Sequence, residues 1–266
     1  MILLYRPADG TDEQVANQFA RKVVDALRQV LQGPTTLEPK IEIDLDLRPE
    51  GKNGPLIRSY APAGSTTRHG RTRGTSGAAA RPVRRRGPAL GEDFLHDIAN
   101  PLRYPISPLT DAQLGEIRKL KARMEAERLP RGVRRDRHLK LGKGGLSDVE
   151  WTVQLLQLQH AGDNASLRLN STLATLDELE RRRFIDRGDA AVLRKAWRMC
   201  TAARNGNYLW NGRVSQADIL PDDMYSLGGI AVYLGYDAHR GQHFENDLMG
   251  TMRKARDVAE HLFYGR

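Results

Sequence analysis

Ile41-Glu42-Ile43-Asp44-Leu45-Asp46-Leu47-Arg48 alternates apolar and charged residues at every step. Successive side chains of a strand point to opposite faces, so the stretch predicts a strand with Ile41, Ile43, Leu45 and Leu47 on one face. Glu42, Asp44, Asp46 and Arg48 share the other. Two carboxylates two residues apart on one face can reach a single divalent cation. Phosphoryl and nucleotidyl transfer use that arrangement to hold Mg²⁺ around a triphosphate, and Arg48 could clamp a phosphate from the strand end. The same spacing also suits the solvated face of an amphipathic edge strand. On spacing alone both readings stand.

Outward from this strand, residues 2 to 5 read as a second short strand. A helix opening at Thr11, with Asp12 and Glu13 in its first turn, lies between the two. Its apolar stripe is Val15, Phe19, Val23, Leu27, Val30 and Leu31, and Gly33-Pro34 stops it. Pro49-Glu50-Gly51 turns the chain out of the 41–48 strand. Residues 59–88 then lose all helical or strand period and are rich in Gly, Ala, Arg, Thr, Ser and Pro, a composition expected of disorder. Beyond Leu90 the pattern is helical: Asp111–Arg128 behind Thr110 and ended by Pro130, Ser147 through Leu158 to Gly162, then Ser171–Arg183, Asp189–Leu209, Asp222–Leu234 and Gln242–Tyr264. The expected architecture is α/β plus all-α: a truncated α/β piece over 1–58, the atypical segment 59–88, and a helical bundle over 89–266.

Of the 266 residues, 42 are Lys or Arg and 33 are Asp or Glu, a net charge of +9. Nine of the basic residues, and no acidic one, fall between Gly51 and Gly91, which leaves 33 of each sign elsewhere. The basic signal is therefore local. The Arg81–Arg86 run lacks the interleaved aromatics of a nucleic-acid platform, so no nucleic-acid partner is expected. No apolar run reaches the roughly 20 residues of a membrane helix. The single cysteine, Cys200, excludes an internal disulfide framework and suits a reducing cytoplasm; it reads as a buried spectator. His138, His160, His239, His243 and His261 show no metal-ligand spacing. Trp151, Trp197 and Trp210 read as helix-packing residues.

A second motif is Lys140-Leu-Gly-Lys-Gly-Gly-Leu-Ser-Asp-Val-Glu-Trp151. Ser147 and Glu150 have the spacing of a capping box, so the glycines lead into a helix N-terminus. Free amides at Gly144 and Gly145, with Lys140 and Lys143, could bind a phosphate there. A purely structural turn into the helix explains the residues equally well, and no Gly-Lys-Ser/Thr makes it a Walker loop.

Taken together, these stretches resemble a known family. Glu42-Ile-Asp-Leu-Asp-Leu-Arg-Pro-Glu-Gly-Lys-Asn-Gly-Pro-Leu-Ile-Arg58 is similar to the second metal-binding strand, and its following loop, of bacterial glutamine-synthetase adenylyltransferases. Arg103-Tyr-Pro, Lys121-Ala-Arg, Glu127-Arg-Leu-Pro-Arg-Gly132, Lys140–His160 and Arg253-Lys-Ala-Arg…Phe263-Tyr-Gly resemble the helical domain of the C-terminal, adenylylating half in actinobacterial members. The resemblance implies a polymerase-β-like nucleotidyltransferase domain followed by a helical bundle. It implies transfer of AMP from ATP to a tyrosine of glutamine synthetase, Mg²⁺ as cofactor, and the PII signal protein as a partner of the longer enzyme. Asp44 matches the third catalytic carboxylate and Arg48 belongs to the same motif, while Asp46 falls where members vary. Gly142–Gly145 with Asp148 and Glu150 matches a family signature.

Two departures bear on the activity. Met1–Tyr5 matches the residues just after the family's Gly-Ser turn and Asp-x-Asp pair, so the resemblance implies a chain without two metal ligands and with impaired catalysis. Residues 59–88 replace a tyrosine-rich helix. A one-base shift over Gly74–Pro82 permits a peptide similar to the missing one, as a local frameshift would give.

Overall fold

The computed structural model describes residues 3–33, 55–60, 94–237 and 239–265. They fall into two compact units, residues 1–103 and 104–266. Among the described residues the chain is mostly helical, with one two-stranded sheet.

In the first unit, strand β1 (Leu3–Tyr5) pairs in parallel with β2 (Ile57–Ser59) in the register Leu3–Ile57, Leu4–Arg58 and Tyr5–Ser59. Helix α1 (Glu13–Gln32) lies between them in sequence. Strand β2 was not foreseen, because three residues are too few to show a period of two. The expected strand at 41–48 lies outside the described residues, as does the atypical segment from residue 61 to its end at 88. Asp12, rather than Thr11, caps α1: its Oδ1 accepts from the amides of Gln14 and Val15 at 2.9 and 3.1 Å. Gly33, at φ 71°, ends the helix as expected.

The wide apolar stripe of α1 does not face the sheet. Ala20 and Val24 do, packed with Ile57, Leu3 and Tyr5, while Phe19 remains 68% and Val30 77% exposed. Two short strands offer little surface, and small side chains let the helix approach them closely. Ser59 donates to Glu13 at 2.9 Å, tying β2 to the start of α1. A π-helical turn, Leu95–Ala99, runs into the short helix α2 (Asn100–Arg103). There the Tyr60 hydroxyl donates to Asp97 at 3.0 Å.

The second unit, residues 104–266, is built of helices. Helix α3 (Asp111–Glu127) starts on a capping box in which Thr110 and Gln113 satisfy each other's backbone amides. Helix α4 (Leu146–His160) is apolar on most sides, burying Val149, Val153, Leu155, Leu156 and Leu158, and so forms the centre of the bundle. Helices α5 (Thr172–Arg181), α6 (Arg187–Asn211) and α8 (Gly241–Tyr264) pack around it, and α7 (Met224–Tyr233) packs against α6 and α8. Ser171, Asp186 and Asp223 accept first-turn amides of α5, α6 and α7, which stops Ser, Asp and the helix ends from competing for partners.

The core has two parts. One gathers Val149, Val153, Leu156, Leu176, Leu179 and Leu193. The other gathers Leu139, Cys200, Leu227, Ile230, Phe244 and Leu248. Trp197 packs against both, as a helix-packing residue should. Burial pushes the Cys200 thiol up to about 12, so it is an inert core residue. Gln157 closes the polar interior by donating to the carbonyls of Leu167 and Leu169 at 2.7 and 3.0 Å. Among the described residues no helix is long and apolar enough to cross a membrane.

Candidate functional site

The glycine-rich stretch leads into α4 as expected, but its local chemistry differs from the expectation. The helix begins at Leu146 with Gly145 as its cap residue, so Ser147 already lies inside the first turn and forms no capping box with Glu150. The amides offered to an anion are engaged within the turn. Gly142 donates to the His138 carbonyl at 2.7 Å, Gly145 to Gly142 at 3.0 Å, Leu146 to Leu139 at 3.0 Å and Ser147 to Lys140 at 2.9 Å. Gly144 donates to Asp148 Oδ2 at 2.7 Å. The carboxylate one turn into the helix thus takes the place that a bound phosphate would fill. Gly144 and Gly145 are buried, whereas Lys140 and Lys143 are exposed. Gly144 sits at φ 74°, and a β-carbon there would overlap the carbonyl of Met252 in α8.

Upstream, His138 braces the same turn. Its Nδ1 accepts from the amides of Lys140 and Leu141 at 3.3 and 3.1 Å, which fixes a neutral ring with the proton on Nε2. Burial, opposed by Asp218 and assisted by Lys140, holds this imidazole below its ordinary pKa. Residues 137–139 also pair with 218–220: the Leu139 amide donates to Asp218 and the Leu220 amide to Arg137, each at 2.8 Å.

Beneath the turn lies a charged cluster that no single segment announces. Lys121 of α3, 1% exposed, pairs with both Asp148 and Glu125. Arg256 of α8 pairs with Asp148 at 3.0 Å and with Glu260. The Lys121 ammonium lies 5.6 Å from the ring centres of Phe263 and Tyr264, and the Arg256 guanidinium 5.3 Å from that of Tyr264. Burial works to raise the Asp148 carboxyl. Lys121, the Gly144 amide and Arg256 outweigh it and keep the carboxyl below its ordinary value. Burial likewise works to lower the Lys121 ammonium, yet Asp148 and Glu125 hold it above its ordinary value. Both groups stay ionised, and the cluster ties α3, α4 and α8 at one point.

The carboxylates and arginine first singled out, Asp44, Asp46 and Arg48, lie outside the described residues. Among the described residues no three of His, Cys, Asp and Glu come together to hold a metal. The structure therefore brings Gly144, Gly145 and Asp148 together and leaves Lys140 and Lys143 in solvent. The roles of Lys121 and Arg256 escaped the sequence, although both stand in stretches that carried the resemblance. Asp148 lies 27 residues from Lys121 and 108 from Arg256, so spacing gives no sign of the pairing.

Comparisons with known proteins cover both units. A family model described as GlnD PII-uridylyltransferase matches residues 118–263, and one described as glutamate-ammonia ligase adenylyltransferase matches residues 1–69. The chain is 68% identical over all 266 residues to a bifunctional glutamine synthetase adenylyltransferase/adenylyl-removing enzyme of Bifidobacterium longum (strain DJO10A), spanning 25% of that protein. It is 41% identical over 266 residues to the Streptomyces avermitilis enzyme of the same name, spanning 26% of it. For the Mycobacterium avium (strain 104) protein, again of that name, the identity is 36% over 264 residues, 99% of this chain and 26% of the relative. The chain thus spans about a quarter of the length of the curated relatives it matches.

Proposed function

Because the chain belongs to the glutamine synthetase adenylyltransferase family, we propose that it serves transfer of AMP from ATP to a tyrosine of glutamine synthetase. The reading is carried by one observation: the similarity to adenylyltransferases runs through all 266 residues, 41–48 with Asp44 included. The tyrosine oxygen attacks the α-phosphorus, pyrophosphate leaves with the cleaved α–β bridge, and the phenolic proton passes to solvent. Residues 1–58 form part of a polymerase-β-like nucleotidyltransferase domain, in which Asp44, with Asp46 beside it, would hold Mg²⁺. That ion supplies charge neutralisation on the triphosphate. Arg48 would pair with a phosphate. At the glycine turn, whose amides are engaged, only the side chains of Lys140 and Lys143 are left to do so.

The test is pyrophosphate release from ATP that depends on added glutamine synthetase. The wild-type chain gives slow release, in keeping with the impaired catalysis expected of it, and Asp44→Asn abolishes it with the fold unchanged by circular dichroism. Release that survives Asp44→Asn, or that never depends on glutamine synthetase, contradicts the proposal.

A second reading is a non-catalytic module that binds glutamine synthetase or another part of the longer enzyme. The exposed aromatic residues at the ends of α6 and α7 favour it. It predicts binding to glutamine synthetase with no pyrophosphate release.

A further inference from the structure

One side of helix α6 carries two unlike surfaces. Along its N-terminal half, an open groove of about 500 Å³ has Arg194, Lys195, Arg198 and Met199 on one wall and Leu234 and Tyr236 on the other. Tyr236 is fixed by its hydroxyl, which donates to Asp247 at 3.0 Å. Arg194 is committed to Asp177 and Glu180, each at 2.7 Å. Lys195 and Arg198 are exposed, and among the described residues neither pairs with a carboxylate.

Toward its C-terminal end the same helix meets α7 in an aromatic patch. Leu209 is 64% and Tyr225 80% exposed, with Trp210, Val232 and Tyr233 about half exposed around them. The contacts make the patch continuous. Trp210 lies edge-on to Tyr225 at 5.3 Å and covers Gly229, where a β-carbon would overlap its ring. Tyr233 covers Gly206. Lys195 and Leu209 lie 14 residues apart on α6, roughly 20 Å along the helix and within about 40° around it at 3.6 residues per turn, so groove and patch lie along one side.

Isolated exposed apolar residues need no explanation, but a contiguous aromatic patch marks an interface. Two cations without carboxylate partners, set beside it, select a polypeptide that offers acidic side chains next to apolar anchors. We propose that this side of α6 and α7 docks the protein substrate, glutamine synthetase. The proposal rests on the adenylyl-transfer reading, in which a protein substrate is oriented by more than its reacting tyrosine.

The test uses the full chain with purified glutamine synthetase and two surface variants, Lys195→Glu/Arg198→Glu and Tyr225→Ala/Tyr233→Ala. Each variant weakens direct binding about tenfold or more. Where AMP transfer is measured, the KM for glutamine synthetase rises by a similar factor while kcat stays within about twofold. Thermal unfolding stays unchanged, and the charge variant reduces the salt dependence of binding. Unchanged affinity in both variants overturns the proposal, as does a wild-type chain that does not bind glutamine synthetase. Variants that instead abolish self-association in sedimentation also overturn it, because a second copy then covers the strip. Binding that the variants weaken, in a chain that transfers no AMP, supports the docking surface and sinks the adenylyl-transfer reading. Transfer with unaltered KM does the reverse.

Discussion

The turn into α4 and the strip along α6 and α7 are both polar and unusual, yet they are built in opposite ways. At the turn the amides of Gly142, Gly144, Gly145, Leu146 and Ser147 have acceptors, His138 and Asp148 serve as internal anchors, and the buried Lys121 and half-buried Arg256 meet their carboxylates inside the fold. On the strip the aromatic rings stand in solvent and two cations lack carboxylate partners among the described residues. Buried polar groups that are fully paired fix a structure, and exposed groups that are not paired invite a partner. Substitutions at the turn should therefore show in stability, and those on the strip in binding.

The largest effect is expected from Asp148→Ala. It leaves Lys121, 1% exposed, without its main counter-charge and the Gly144 amide without its acceptor. Losing one partner of a buried pair costs about 3–5 kcal/mol, read as a shift in the urea midpoint. A cost below about 1 kcal/mol would mean that water reaches the cluster.

Next comes Gly144→Ala, which meets a left-handed backbone and the Met252 carbonyl at once. The backbone alone is expected to cost about 1–3 kcal/mol, and the overlap adds to it. Equal stability with wild type in thermal unfolding would show that the turn adjusts freely.

A smaller effect is set by pH. His138 is neutral in the fold and held below its ordinary 6.5 by burial. The unfolded chain then binds this proton more readily than the folded one. Stability is full above 6.5 and falls as pH drops below that value. His138→Asn keeps an acceptor for the two amides but cannot titrate there, so the acid-side slope between neutral pH and the carboxylate range should flatten. An unaltered slope would assign it to other groups.

The smallest stability effect belongs to the strip. Tyr225→Ala should stay within about 0.5 kcal/mol of wild type in urea unfolding, because the side chain is 80% exposed. A loss of several times that would make the patch part of the core and erase the contrast with the turn.

Much of the helical unit was legible because its signals are local. Thr110 with Gln113, Ser171 before α5 and the glycine after α1 each act within one turn, and the dense apolar content of α4 marks it as central without reference to a distant partner. The misreadings are contests that local patterns cannot decide. Ser147 and Glu150 have the right spacing for a capping box, but Asp148 and the carbonyls of Leu139 and Lys140 take the amides first. Lys121 sits in a highly charged helix and looks solvated, yet its acid partner and its aromatic neighbours arrive from α4 and α8. The α1 stripe predicted a broad buried face, and the small residues Ala20 and Val24 meet the sheet instead. The strip on α6 and α7 gave no local sign because its rings, such as Trp210 and Tyr225, come together only where the two helices meet.

The most direct test of the whole account is mass spectrometry of glutamine synthetase after incubation with this chain, ATP and Mg²⁺. The account predicts a gain of one adenylyl group on a tyrosine with the wild-type chain and none with Asp44→Asn. No gain with the wild-type chain, or an equal gain with Asp44→Asn, would contradict it.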